Sequence, residues 1–145
     1  MFRQILAELR GGGEEVADRR GAASDYVHKL ARYGSFFVSQ LHEHHHLEDM
    51  HYFPLLAAAE PRLEAGFTLL DGDHKSLDAH LGRFVDEANV LLQTLQTEPV
   101  DIAAGRAAAF AEGIGTFEGF LDRHLTDEED IIVPILLEHG EGRFG

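Results

Sequence analysis

His44-His45-His46-Leu47-Glu48 runs on to Phe53-Pro54, and eighty residues later His124-Leu125-Thr126-Asp127-Glu128 runs on to Val133-Pro134. Both segments read His-x-x-x-Glu, and both place a proline ten residues after the histidine. Residues four apart on a helix stand one above the other on the same face. Each copy therefore aims an imidazole and a carboxylate at one point. Two such pairs brought together make a nitrogen–oxygen site able to hold two metal ions. A single His–Glu pair is common on solvated helices, where it is weak. Here both glutamates fall on faces that read as core, where an unpaired carboxylate costs several kcal/mol.

The elements that must position these pairs are helical. Phe2, Ile5, Leu6 and Leu9 form a short stripe over residues 1–10, and Gly11-Gly12-Gly13 is expected to stop it. A long helix is predicted over about 24–59, with Ser24 as its N-cap and Tyr26, Leu30, Tyr33, Phe37, Leu41, His44, Glu48, His51 and Leu55 inward. Glu60-Pro61 ends it. The third helix is expected over about 63–96 and the fourth over about 101–138, separated by Glu98-Pro99. Pro54 and Pro134 sit inside helical patterns, where proline kinks a helix or ends a turn. Val, Ile and Thr form no alternating runs, so no strand is predicted. Short connections between long helices give an all-α, antiparallel up-down four-helix bundle. The 145 residues are read as a single domain.

Register arithmetic brings the polar residues to one level. Glu48 lies 13 residues before Pro61 and His74 lies 13 after it; His44 and Asp78 are each 17 away. His74 and His124 each lie 25 residues from Pro99. Antiparallel helices rise equally, by about 1.5 Å per residue. Glu48, His74 and His124 should therefore share a layer, with His44 opposite Asp78 and Glu128 one turn from His124. His42, His45 and His46 are expected to point away from the His44 face. His51, one heptad beyond His44, reads as inward-facing, while His28, His80 and His139 carry no site role.

Composition narrows the chemistry. There are 26 acidic against 12 basic residues, a formal charge of -14, which repels a phosphate backbone or an anionic membrane and attracts cations. Cysteine is absent, which excludes thiolate zinc sites and iron–sulfur clusters. No apolar run approaches the roughly 18 residues of a membrane span, and the N-terminus has no signal-peptide core, so a cytoplasmic setting is expected. Ten histidines are many for this length, and six lie between His28 and His51. Imidazole with carboxylate suits iron, manganese and zinc. Two carboxylates able to bridge favour a pair of iron ions.

These residues resemble the hemerythrin-like, or HHE cation-binding, domain family. The resemblance rests on His44-x-x-x-Glu48, the single His74, His124-x-x-x-Glu128, and the repeats ending Phe53-Pro54-Leu55-Leu56 and Val133-Pro134-Ile135-Leu136. It covers about residues 24–138. It implies a four-helix bundle around a non-haem di-iron centre, with Glu48 and Glu128 bridging, His44 on one iron, and His74 with His124 on the other. Oxygen-carrying members place a second histidine four residues along the third helix, where this chain has Asp78. Asp78 is the expected ligand there, and a carboxylate in place of imidazole works against reversible oxygen carriage.

The family's first helix supplies a histidine to the His44 iron, yet no histidine precedes His28 here. The first helix is expected to be shortened, leaving the His44 position the weaker and exposing apolar surface that favours a homodimer. The resemblance implies iron, as two ions or as one ion or a substitute metal in an incomplete site. It also implies interaction with oxygen, nitric oxide or peroxide, in sensing or iron handling more than in enzymatic turnover. A metal-dependent oxidase or hydrolase, and a purely structural bundle without metal, are the alternatives.

Overall fold

In the computed structural model, which describes residues 1–18 and 23–139, helices fill almost the whole chain and no strand occurs among the described residues. Helix α1 spans Phe2–Ala17 and α2 spans Ala23–Leu47. A π-helical turn, Glu48–Tyr52, joins α2 to α3, Phe53–Ala59. After a 3-10 turn at Pro61–Leu63, α4 spans Glu64–Thr97 and α5 spans Val100–His139. The α2–α3 unit, α4, α5 and α1 make the four members of the bundle, and α1 packs between α5 and α2.

Two apolar clusters flank one polar layer. The larger includes Leu6, Leu30, Phe37, Leu41, Leu77, Phe84, Ile114, Phe117 and Leu121. The smaller is built from Phe53, Leu56, Phe67, Leu70 and Ile135. On α4 the sequence of buried positions is Phe67, Leu70, His74, Leu77, Leu81, Phe84. That alternation of three and four residues keeps one narrow stripe facing inward. His74 interrupts it at the layer between the clusters, as His124 does on α5.

Two expectations about the helices change. The three glycines do not end α1, which continues through them to Ala17 and is about 24 Å long. They serve contact instead. A Cβ on Gly12 would stand 2.8 Å from the ring of Tyr26, and one on Gly13 would meet Tyr26 and Ala111. The Tyr26 hydroxyl donates a 2.7 Å hydrogen bond to the Leu9 carbonyl, clamping α2 to α1. Burial pushes this phenol far above its usual pKa, so it stays a neutral donor. Arg3 pairs with Asp122 and Glu129, and Arg10 with Glu118, along the α1–α5 seam. Because α1 continues, its first turn comes nearer the polar layer than a ten-residue helix allows. Phe2 packs its ring 6.0 Å from Phe37 and 5.7 Å from His44. No histidine is supplied by α1.

The second change concerns residues 24–59, which are not one regular helix. The π turn inserts an extra residue into the inner stripe, a disturbance common at functional sites. The stripe moves from Glu48 to Phe53 and Leu56, both buried. His51 and Leu55, expected inward, are exposed. Pro54 starts the next helical turn, where its missing N–H does no harm. Ser24 lies in the first turn of α2, which begins at Ala23.

The glycine contacts make opposite predictions for neighbours. Gly11 has nothing within 4 Å of an added Cβ, so Gly11→Ala should stabilise by about 0.5–1 kcal/mol through helix propensity. Gly12→Val should destabilise by about 1–3 kcal/mol by overpacking against Tyr26. Urea denaturation of both variants measures this; equal shifts of the same sign would contradict the α1–α2 contact.

Candidate metal centre

Five side chains expected to approach one another do so. His44 Nε2 lies 3.2 Å from Glu48 Oε1 and 3.7 Å from Glu128 Oε1. His74 Nε2 lies 3.4 Å from the same Glu48 Oε1, and His124 Nε2 lies 3.2 Å from Glu128 Oε2. The two oxygens of Glu128 thus face His44 and His124, and one oxygen of Glu48 stands between His44 and His74. Ligands about 2.1 Å from a common ion stand roughly 3.0–3.4 Å apart. Three of these four separations fall in that range.

The site also includes a histidine that the sequence reading turned outward. His45 is only 4% exposed. Its ring stacks on His74 with centroids 4.0 Å apart and meets His124 edge-on at 5.7 Å. His45, His74 and His124 form one potential ligand group; His44, Glu48 and Glu128 form another. Helix periodicity admits His45 as readily as its neighbour. The α2 stripe runs Leu30, Gly34, Phe37, Leu41, His45, Glu48, again in steps of four and three. The expected and observed stripes share Leu30, Phe37, Leu41 and Glu48, and differ only where a step of three or four chooses between neighbours: Gly34 rather than Tyr33, and His45 rather than His44. Tyr33 is in fact 40% exposed, and Gly34 is buried where α2 approaches Phe84. His44 occupies the flank instead, with its side chain 40% exposed.

Asp78 is placed outside. On α4 the stripe steps from His74 to Leu77, so the next residue turns toward solvent, and Asp78 is exposed and in neither ligand group. Two other aspartates touch the histidines. Asp49 Oδ1 lies 2.7 Å from His74 Nδ1, and Asp73 Oδ2 lies 3.2 Å from His124 Nδ1. Each carboxylate accepts the Nδ1–H bond, which fixes the ring and leaves the Nε2 lone pair directed inward. Arg123 pairs with Asp73 from outside. Phe53 also stacks on the His74 ring, at 5.4 Å. His42 and His46 are exposed, as expected of residues off the inner face.

The electrostatics fit a site built for cations. Burial, together with the adjacent Glu128, pushes Glu48 up to about 10. Burial alone would raise Glu128 as well, but His124, His44 and the protonated Glu48 outweigh it and hold this carboxylate well below its usual range. One proton therefore serves the carboxyl pair. Glu128 raises the His44 imidazole against the opposing effect of burial. Burial and the neighbouring histidines lower His45 to about 3, so it is a neutral imidazole.

The donor atoms provide the test of whether a metal fits. Buried polar atoms in native proteins nearly always have a partner. Here His45 Nδ1 and Nε2, Glu48 Oε1, His74 Nε2, His124 Nε2 and Glu128 Oε2 are buried without a hydrogen-bond partner. These six atoms come from five side chains that converge on one layer. Each is a nitrogen or oxygen donor of the kind that iron, manganese or zinc takes. The residues fit a metal.

Fold and donor set together define a helical-bundle protein with a nitrogen–oxygen cation site. The sequence profile of the hemerythrin HHE cation binding domain matches residues 1–136, and the chain belongs to that family. No curated protein and no solved structure matches the chain at a significant level. Among the described residues, no helix is long and apolar enough to cross a membrane.

The shared proton has a measurable consequence. A metal ion engages Glu48 only as that proton leaves, and protonated His44 must also release one. Both groups make acid a competitor, so affinity should rise with pH by up to about tenfold per unit for each proton displaced. Calorimetric titration with Zn(II) between about pH 6 and 8, in buffers of differing ionisation heat, should show proton release. A pH-independent affinity without proton release would contradict a protonated Glu48. Replacing Asp49 with Ala should weaken the metal about 10–100-fold by freeing the His74 ring, read in the same titration.

Proposed function

We propose that this protein binds a pair of iron ions in the polar layer and uses them to engage a small ligand: oxygen, nitric oxide or peroxide. The observation that carries this reading is the division of Glu128, with Oε1 toward His44 and Oε2 toward His124. A carboxylate so placed can join two cations, and Glu48 Oε1 supports the same role between His44 and His74. Bound iron with an open position supplies redox chemistry and coordination of such small ligands.

The chain's own residues set the terms of access. His44 is on the exposed side and is covered partly by Phe2. The opposite side, at His45, His74 and His124, is closed by the apolar clusters and by Phe53. A small ligand therefore enters from the His44 side, while His74 and His124 hold their metal in a dry setting. The acidic surface favours cation capture. Asp49 and Asp73 hold two imidazoles in the metal-facing tautomer throughout.

Metal analysis combined with an absorption spectrum tests the proposal. Iron-loaded protein should hold two ions per chain and absorb in the near ultraviolet, as oxo-bridged ferric pairs do. Glu128→Ala should hold one ion at most and lose that band. An unchanged count in the variant would remove Glu128 from the site; a protein that binds only zinc would reject iron chemistry.

A further inference from the structure

We propose that His45 is a metal ligand, giving the closed side of the site three imidazoles drawn from α2, α4 and α5. The inference rests on the metal-binding reading above and assigns a residue that the repeated His-x-x-x-Glu pattern does not include.

Three observations converge on it. First, His45 occupies the inner stripe at a position whose preceding members are Leu30, Gly34, Phe37 and Leu41. A leucine there would continue the core with no polar group to satisfy. Second, neither ring nitrogen of His45 has a hydrogen-bond partner, although the residue is only 4% exposed. A neutral imidazole always carries one N–H and one lone pair. Leaving them both unpaired in the interior forfeits their hydration with nothing in return. A metal ion satisfies the lone pair directly. Third, a ligand atom of His45 lies within 4.8 Å of ligand atoms of His74 and His124.

The surroundings argue against a merely orienting role. Histidines that steer a ligand need a hydrogen bond to it. Here that work is done by Asp49 for His74 and by Asp73 for His124. His45 contacts His74 by ring stacking, with planes 18° apart. The second α4 ligand that the family resemblance suggested is missing, because Asp78 is exposed. That leaves the closed side with two imidazoles. His45 restores a third from another helix. His44 and His45, adjacent in sequence and turned about 100° apart on α2, then serve opposite sides of the layer. Nearly parallel rings do not aim their lone pairs at one point, so metal binding turns the His45 ring out of the stack toward His124.

The test uses the full chain loaded with Co(II) or Fe(II) under anaerobic conditions. His45→Leu should retain its helical circular dichroism, since leucine suits the stripe. It should lose affinity at the closed side by at least the roughly 10–100-fold that follows loss of an outer partner. The visible bands of bound Co(II) should change with the loss of a nitrogen ligand. His45→Gln provides a second variant, and the wild-type chain a third measurement. On loading with Zn(II), the nitrogen NMR signal of the His45 ring should move as those of His74 and His124 do. Unchanged Co(II) bands and affinity in a folded variant, or an unmoved His45 signal in the Zn(II) protein, would overturn the assignment while leaving the metal site intact. A wild-type chain that takes up no metal would overturn the metal-binding reading itself, and this one with it.

Discussion

Six buried nitrogen and oxygen atoms, from five side chains, that find no hydrogen-bond partner inside the protein are the constraint around which this fold is arranged. Imidazoles and carboxylates do not enter a dry core freely. Each must be hydrogen-bonded, neutralised or bound to a cation. Within the bundle the chain shares one proton between Glu48 and Glu128 and keeps His45 neutral. Cations held by the two ligand groups would satisfy these lone pairs more completely. Metal bound there would act on folding through the same atoms.

Apolar packing confines that layer from both sides. The larger cluster closes it below Leu41, Leu77 and Leu121, and the smaller closes it above through Phe53, Phe67 and Ile135. Helix α1 contributes packing rather than ligands. Its glycines let Tyr26 press against the backbone, and its first turn lays Phe2 over His44. The result is an asymmetric centre. One side is enclosed by three imidazoles from three helices. The other has a single, partly exposed imidazole next to two carboxylates.

The π turn at Glu48–Tyr52 is the local device that joins the layer to the second cluster. Without the extra residue, a regular helix carrying Leu41, His45 and Glu48 inward would next bury Tyr52. With it, Phe53 comes inward and stacks on His74. Asp49 is also inside this turn, and its carboxylate reaches His74 Nδ1. A single backbone irregularity thus serves both the packing and the orientation of one imidazole.

The sequence alone determined the helical bundle, the antiparallel register and the meeting of His44, Glu48, His74, His124 and Glu128. Those follow from spacing, because rise per residue is nearly constant and residues four apart share a face. It did not determine which of two neighbours fills the inner place where the α2 stripe steps by three or four: Gly34 rather than Tyr33, and His45 rather than His44. Both choices keep Leu30, Phe37 and Leu41 inward, and Gly34 is buried where α2 approaches Phe84, an approach between helices that no local pattern reports. Nor did spacing reveal that Leu77 takes the inward place next to His74 and leaves Asp78 in solvent, or that Gly11 to Gly13 continue a helix. Glycine is a helix breaker by local preference, but in α1 the close contact with Tyr26 and α5 outweighs it. The exact edge of an inner stripe and the close approach of two helices are properties of pairs of helices, so only the tertiary structure could decide them.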